Sequence, residues 1–260
     1  MPPFPLLIDP VLKLTSALTE LLLAQRANHT ILAQLPADLV PANAAQAYVV
    51  QDETVAALGG AGAWKVAPMP AEGEPFCSPI LTSDIHASGT ALRKADLPGL
   101  GIEVEVAVTL GEDLGGKPGG YTSEDILAAI ASWHVAIEVL ASRYADRTTA
   151  PTLAAIADLQ SSGAVILGPP TQFATLPEFG AQALVLRFDG EIVQQSAGNA
   201  TTENVLASLA WLANHAAGRG QPLRAGYVVI TGARLGPLSL PGKDVVAEAP
   251  GLGTVSASFA

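Results

Sequence analysis

Glu103 and Glu105 stand two residues apart in GIEVEVAV (residues 101–108), a stretch in which apolar and polar residues alternate. A period of two is that of a β-strand with unlike faces, so both carboxylates leave the same side, roughly 7 Å apart. Like charges so close repel, and one pKa rises unless a cation joins them. Two readings follow. The face is solvated, as charged faces usually are, or it holds a hard divalent cation such as Mg²⁺, which prefers carboxylate oxygens. Glu138 bears on the choice, because it interrupts the otherwise apolar HVAIEVLA, and a lone acid in an interior strand is costly unless paired or metal-bound. Three such acids make a tridentate site with positions left for substrate and water.

Lys65 in GAWKVAP lies between Trp64 and Val66. It either snorkels to solvent or binds an anionic substrate and moves a proton. His29, His86, His134 and His215 are dispersed and form no H-E-x-x-H or other metal spacing. Cys77 is the single cysteine, which excludes an intrachain disulfide and a thiolate zinc cluster. There is no G-x-G-x-x-G, P-loop or G-x-S-x-G, so neither a nucleotide cofactor nor a hydrolase elbow is indicated. Ser161 in SSG (161–163) marks a pocket turn or a strand entry.

The elements that must position these groups change character along the chain. Asp9-Pro10 starts a helix running to about Leu32, with Asp as cap and Pro at the first helical position. A second helix begins at Asn43 and stops at Gly59-Gly60. WKV then reads as a short strand, 68–79 as a proline-rich loop, and GIEVEVAVTL as a strand ended by Gly111. Ser123-Glu124-Asp125 opens a helix to about Trp133. HVAIEVLA and SGAVILGPP follow as strands. Asp189-Gly190 forms a hairpin between alternating segments. TTENVLASLAWLANHAAGRG is a helix capped by Thr201 or Thr202 and stopped by Gly220; GYVVITG, KDVVAEA and GTVSASF are further strands. Many strands with few helices between them predict a β-rich α+β fold. A junction near 59–62 divides an N-terminal helical subdomain (1–60) from a β-rich catalytic domain (61–260).

Composition bounds the function. The chain has 260 residues, 49% hydrophobic, 14% charged, with a formal net charge of −11, and this acidity argues against nucleic acid. No apolar run approaches the ~20 residues of a membrane span; the nearest, LTELLLAQRANHTILAQL, is broken by Glu20, Gln25, Arg26, Asn28 and His29. MPPFPLLIDP carries no positive charge ahead of its apolar residues, which reads against a signal peptide, and a cytoplasmic location is expected.

GAWKV, GIEVEVAV, AIEVLASRYAD, LAWLANH with GQPLRAGYVVITG, and PGLGTVS occur in that order. Together they resemble the 2-keto-4-pentenoate hydratase and 4-oxalocrotonate decarboxylase family, within the fumarylacetoacetate hydrolase superfamily, over nearly the whole chain. The resemblance implies a mixed β-roll or sandwich with a helical N-terminal part, and a homo-oligomer. It implies Mg²⁺ or Mn²⁺ held by Glu103, Glu105 and Glu138, and a catalytic or substrate-binding Lys65. The substrate is then a 2-oxo acid whose keto and carboxylate oxygens meet the cation. Water adds to the distant double bond of a 2-hydroxy-2,4-dienoate to give a 4-hydroxy-2-oxo acid. Ser161, Asn199, Thr231 and Gly232 are the further pocket candidates. Decarboxylation of a related diacid shares the design; acylpyruvate C–C hydrolysis, for which no clear His–Glu base pair stands out although His86, Glu72 and Glu74 are available, and non-catalytic 2-oxo acid binding are the alternatives. The departures from the family pattern fall around the pocket: Lys65 is followed by VAPMP, Ala141 replaces an acid, and DLQSSG replaces DNASSG.

Overall fold

The structure, a computed structural model, describes residues 10–260 apart from Ala197 and Asn199, with only the backbone of residues 10–13. Five α-helices are present among the described residues: α1 (Pro10–Asn28), α2 (Ala44–Ala57), α3 (Ser123–Ala129), α4 (Thr152–Ala157) and α5 (Thr202–Gly218). Asp9, the expected cap of α1, lies outside the described residues. That helix ends at Asn28, short of Leu32, because the chain turns at His29 (φ 51°) and Leu32 bridges to Tyr144. Asn43 caps α2 by accepting the Gln46 N–H at 3.0 Å. The Gly60 N–H closes its end on the Val55 carbonyl. The cap of α3 is Thr122, one residue before the expected Ser123, in a reciprocal capping box with Asp125. Thr201 caps α5, accepting from the Asn204 N–H.

The strands are β1 (Ala61–Val66), β2 (Cys77–Leu81), β3 (Ile85–Ala87), β4 (Thr90–Leu92), β5 (Gly101–Leu110), β6 (Ile130–Leu140), β7 (Ser162–Leu167), β8 (Leu184–Phe188), β9 (Glu191–Ser196), β10 (Val228–Leu238), β11 (Asp244–Ala249) and β12 (Gly253–Phe259). Two expectations fail here. The helix expected to reach Trp133 stops at Ala129. Ile130–Leu140 is instead a strand whose Trp133 pairs with Val108 and packs on Phe179, ring centroids 4.7 Å apart. The loop expected over 68–79 gives way at Cys77 to β2, where Pro79 pairs with Trp64. Proline is tolerated there because β2 is an edge strand. The hairpin forms as read, with Asp189 (φ 48°) and Gly190 (φ 87°) both left-handed between β8 and β9.

Two mixed sheets carry the fold, one in the order β2-β1-β10-β5-β6-β7-β3 and the other β4-β12-β11-β8-β9. The α+β class therefore holds. On the large sheet, Ile102, Val104, Val106 and Val108 of β5 join Val135, Ile137 and Val139 of β6 in the main core. That core extends to α5, to the small sheet and to Leu18 and Leu22 of α1. The opposite face is covered too. Ala63, Ala107, Ala136, Val165, Val228 and Ile230 form a second apolar cluster there, and this is the face that Glu103, Glu105 and Glu138 share by strand alternation.

The large sheet curls into a half-barrel. Lys65 on β1 and Glu138 on β6 are separated by β10 and β5, roughly 14 Å in a flat sheet at ~4.8 Å per strand. Their side chains nonetheless touch. The β10–β5 register shifts three times, first between Ile230 and Ala233, around Gly232 at φ 95°. An irregularity of this kind bends a strand and increases its twist.

Candidate metal centre

Glu103 and Glu138 are direct partners across β5 and β6, and Glu105 lies one repeat along β5 opposite Ala136 and Ala233. One carboxylate oxygen from each of the three lies within 4.8 Å of the others. Glu105 and Glu138 are each 2% exposed, so the solvated-face reading fails for Glu105, while Glu103 is half-buried at the cavity. Burial, then the charge of Glu138, pushes the Glu103 carboxyl up to about 7. The same causes, with Glu103 added, hold Glu105 well above the ordinary range. Against this, the Gly232 N–H donates to Glu105 at 2.6 Å. Buried Arg234 lies near the same carboxylate and lowers its pKa by charge. Its guanidinium donates to the Thr231 and Gly232 carbonyls.

The donor set fits a hard divalent cation. It is all oxygen, converges from two paired strands, and carries more negative charge than the one ammonium beside it neutralises. That ammonium is Lys65, whose Nζ donates to Glu138 Oε1 and to the Gln160 carbonyl, each at 2.6 Å. Three consecutive left-handed residues, Leu159, Gln160 and Ser161 (φ 51°, 49° and 60°), turn that carbonyl inward. Such a run is strained for non-glycine residues and needs outside support. Arg143 supplies it: its backbone N–H and Nε donate to the Asp158 carboxylate. Its Nη1 and Nη2 donate to the Ser162 and Asp158 carbonyls.

Lys65, the three glutamates, Ser161 and Gly232 line one cavity of about 350 Å³, walled also by Phe76, Leu140, Arg147, Thr152, Ala155, Ile156 and Gln160. Thr231 is not among its lining residues; its hydroxyl donates to the Val106 carbonyl at 2.8 Å. Asn199 lies outside the described residues. None of the described histidines lines the cavity. His134 is buried and held by Thr109, Ser132 and the Gly168 carbonyl, and His215 stacks on Trp211. Cys77 is buried, and desolvation pushes its thiol up to about 12, which leaves it no nucleophile. Sequence reasoning missed Gln160, which acts through its backbone and so gives no side-chain signal. It also missed Arg147, the second of two arginines in the loop after the Glu138 strand.

A curled mixed sheet carrying three converging acids and a lysine is the fumarylacetoacetate hydrolase type of fold. Residues 52–260 match the model of the fumarylacetoacetate hydrolase C-terminal family, and the chain belongs to that family. A 2-keto-4-pentenoate hydratase of Burkholderia vietnamiensis (strain G4 / LMG 22486) is 34% identical over 188 residues, 72% of this chain and 70% of that protein. A 4-oxalocrotonate decarboxylase of Pseudomonas putida is 34% identical over 161 residues, 61% of this chain and 59% of that protein. The solved structure of 4-oxalocrotonate decarboxylase from Pseudomonas putida G7, complexed with magnesium and adipate, superposes with a TM-score of 0.81 at 27% identity. That match covers 95% of this chain and 98% of the other. Among the described residues no helix is long and apolar enough to cross a membrane.

Proposed function

We propose that the chain is a divalent-metal-dependent hydro-lyase. It adds water to a 2-hydroxy-2,4-dienoate, or its 2-oxo-4-enoate tautomer, to give a 4-hydroxy-2-oxo acid in aromatic meta-cleavage catabolism. The observation that carries this reading is the convergence of three buried carboxylates with Lys65 in one cavity. The hydratase and decarboxylase relatives support the reaction class. Glu103, Glu105 and Glu138 hold Mg²⁺ or Mn²⁺. When bound, the cation supplies Lewis acidity to the keto and carboxylate oxygens of a 2-oxo acid.

The remaining roles belong to the chain. Lys65 holds or moves a proton at Nζ, and its two fixed acceptors orient it towards the cavity. The Gly232 N–H fixes Glu105 in place. Leu140, Ala155, Ile156 and Phe76 give an apolar wall that limits water to the reacting end. The Ser161 side chain offers a polar contact to the substrate. The hydrolase alternative lacks its base, because neither His86, Glu72 nor Glu74 lines the cavity.

The test is turnover of 2-hydroxypenta-2,4-dienoate by the Mg²⁺-loaded protein, with the product read by NMR. A product heavier by one water is expected. Lys65→Met is expected to lower kcat about a hundredfold or more, the usual reach of a positioned acid–base group. Absence of turnover of dienoates and oxo diacids alike, with the metal bound, overturns the enzyme reading in favour of a binding protein.

A further inference from the structure

Gln51 on α2 is fully buried, and a buried amide is costly unless its polar atoms are bonded. Its Nε2 donates to the Ile156 carbonyl at 2.7 Å and to Ser78 Oγ at 2.8 Å. The Cys77 carbonyl is a longer third acceptor at 3.2 Å. Its Oε1 accepts from Arg219 Nη2 at 3.5 Å. One side chain thus ties three elements together: α2, the start of β2 and the last turn of α4. Gln51 does not itself line the cavity of the three glutamates.

The two nearer acceptors lead to Lys65 by different routes. Ser78 is the direct partner of Lys65 across β1 and β2, and the side chains of such a pair lie on one face of the sheet. Ile156 offers one of the last carbonyls of α4, which a helix cannot all satisfy by itself. A few residues on, the Gln160 carbonyl accepts from Lys65 Nζ. The ammonium and the carbonyl it bonds therefore belong to separate elements, β1 and the turn after α4. The Gln51 amide joins the strand beside the one to the helix that carries the other. The clamp of Arg143 on Asp158 ties that turn to the loop after β6 instead. Val55, Leu81 and Leu159 pack together nearby, but apolar packing has no direction and sets no hydrogen-bond distance.

We propose that Gln51 is a positioning residue for the reaction: it keeps Lys65 and the Gln160 carbonyl at hydrogen-bond distance, and so keeps the ammonium aimed into the cavity. This rests on the hydro-lyase reading above, in which Lys65 holds or moves the proton. The N-terminal helical part of the chain then serves the chemistry through one amide, without touching the substrate.

Gln51→Leu keeps much of the volume and removes the donors. With the Mg²⁺-loaded protein and 2-hydroxypenta-2,4-dienoate, kcat is expected to fall about tenfold or more, since a small misplacement from a distant change costs that much. KM and Mn²⁺ affinity are expected to stay at their wild-type values, because the three glutamates sit on β5 and β6 and Gln51 bonds to neither. Ser78→Ala removes one acceptor and disturbs the core less; it is expected to lower kcat about fivefold, the reach of one hydrogen bond. Val50→Ala, in the core on the same helix, is the control for loosened packing. It is expected to lower the urea midpoint with kcat unchanged. Wild-type kcat in Gln51→Leu, or in Ser78→Ala where that variant alone folds, overturns the proposal. So does an equal loss of kcat in Val50→Ala, or a loss that follows Mn²⁺ affinity down. Absence of turnover by the wild-type protein overturns the hydro-lyase reading and this proposal with it.

Discussion

Glu103 and Glu105 are the residues on which pH acts. Both carboxyls are raised by burial first and by neighbouring carboxylates second. An acid raised in the folded state favours folding below its unfolded pKa, near 4.5 for Glu103. That contribution is lost as pH rises through about 7 for Glu103, and at still higher pH for Glu105. A cation bound between them displaces those protons, so its affinity has the opposite slope. Mn²⁺ affinity, read by electron paramagnetic resonance of the free ion, is expected to tighten steadily from pH 5.5 to 8. Glu105→Gln is expected to weaken it at least about tenfold and flatten the slope, since one proton fewer is displaced. An affinity that ignores both pH and the substitution rejects these acids as the ligands.

At the scale of elements, the bend in β10 sets the site. Gly232 has φ 95°, and a Cβ there would sit 2.6 Å from Pro68 Cδ, while its N–H holds Glu105. Gly232→Ala strains the backbone and crowds Pro68, so it moves the donor that fixes Glu105. We expect Mn²⁺ affinity to fall about tenfold, the loss of roughly one hydrogen bond to a charged group. Gly190→Ala is the control: it has φ 87° and open space around it. It is expected to cost about 1 kcal/mol of stability in urea unfolding with Mn²⁺ affinity unchanged. Equal metal affinities in the two variants sink the argument. The turn clamped by Arg143 and Asp158 is the second such device, since it aims the Gln160 carbonyl at Lys65.

For the whole molecule, the proposed metal would be a ligand of the folded state alone, because the three acids converge only when the sheet has curled. A metal concentration one hundred times Kd stabilises by about 2.7 kcal/mol, a rise in Tm of roughly 5–10 °C for a chain of this size. The net charge of −11 draws cations in, so the rise shrinks as salt screens that field. Differential scanning fluorimetry with and without Mn²⁺ checks this. A midpoint that Mn²⁺ leaves in place contradicts it.

The sequence by itself determined the local elements and the identities of the acids. Alternation in GIEVEVAV put Glu103 and Glu105 on one face, Asp189-Gly190 made its hairpin, and Asn43 and Thr201 capped their helices. These are short-range properties, set by strand and helix periods and by single capping hydrogen bonds. The short strands β2, β3 and β4 were not legible, because they pair only with strands distant in sequence or owe their pairing to an edge position. Nor was the exchange of helix for strand at Ile130, where tertiary pairing with β5 prevails over local pattern. Only the tertiary structure decided that Lys65 meets Glu138 across two intervening strands and that Gln160 offers its carbonyl. Each depends on the curvature of the sheet, which goes with the irregular β10–β5 register and the packing of both faces together, and no periodicity within one segment encodes it.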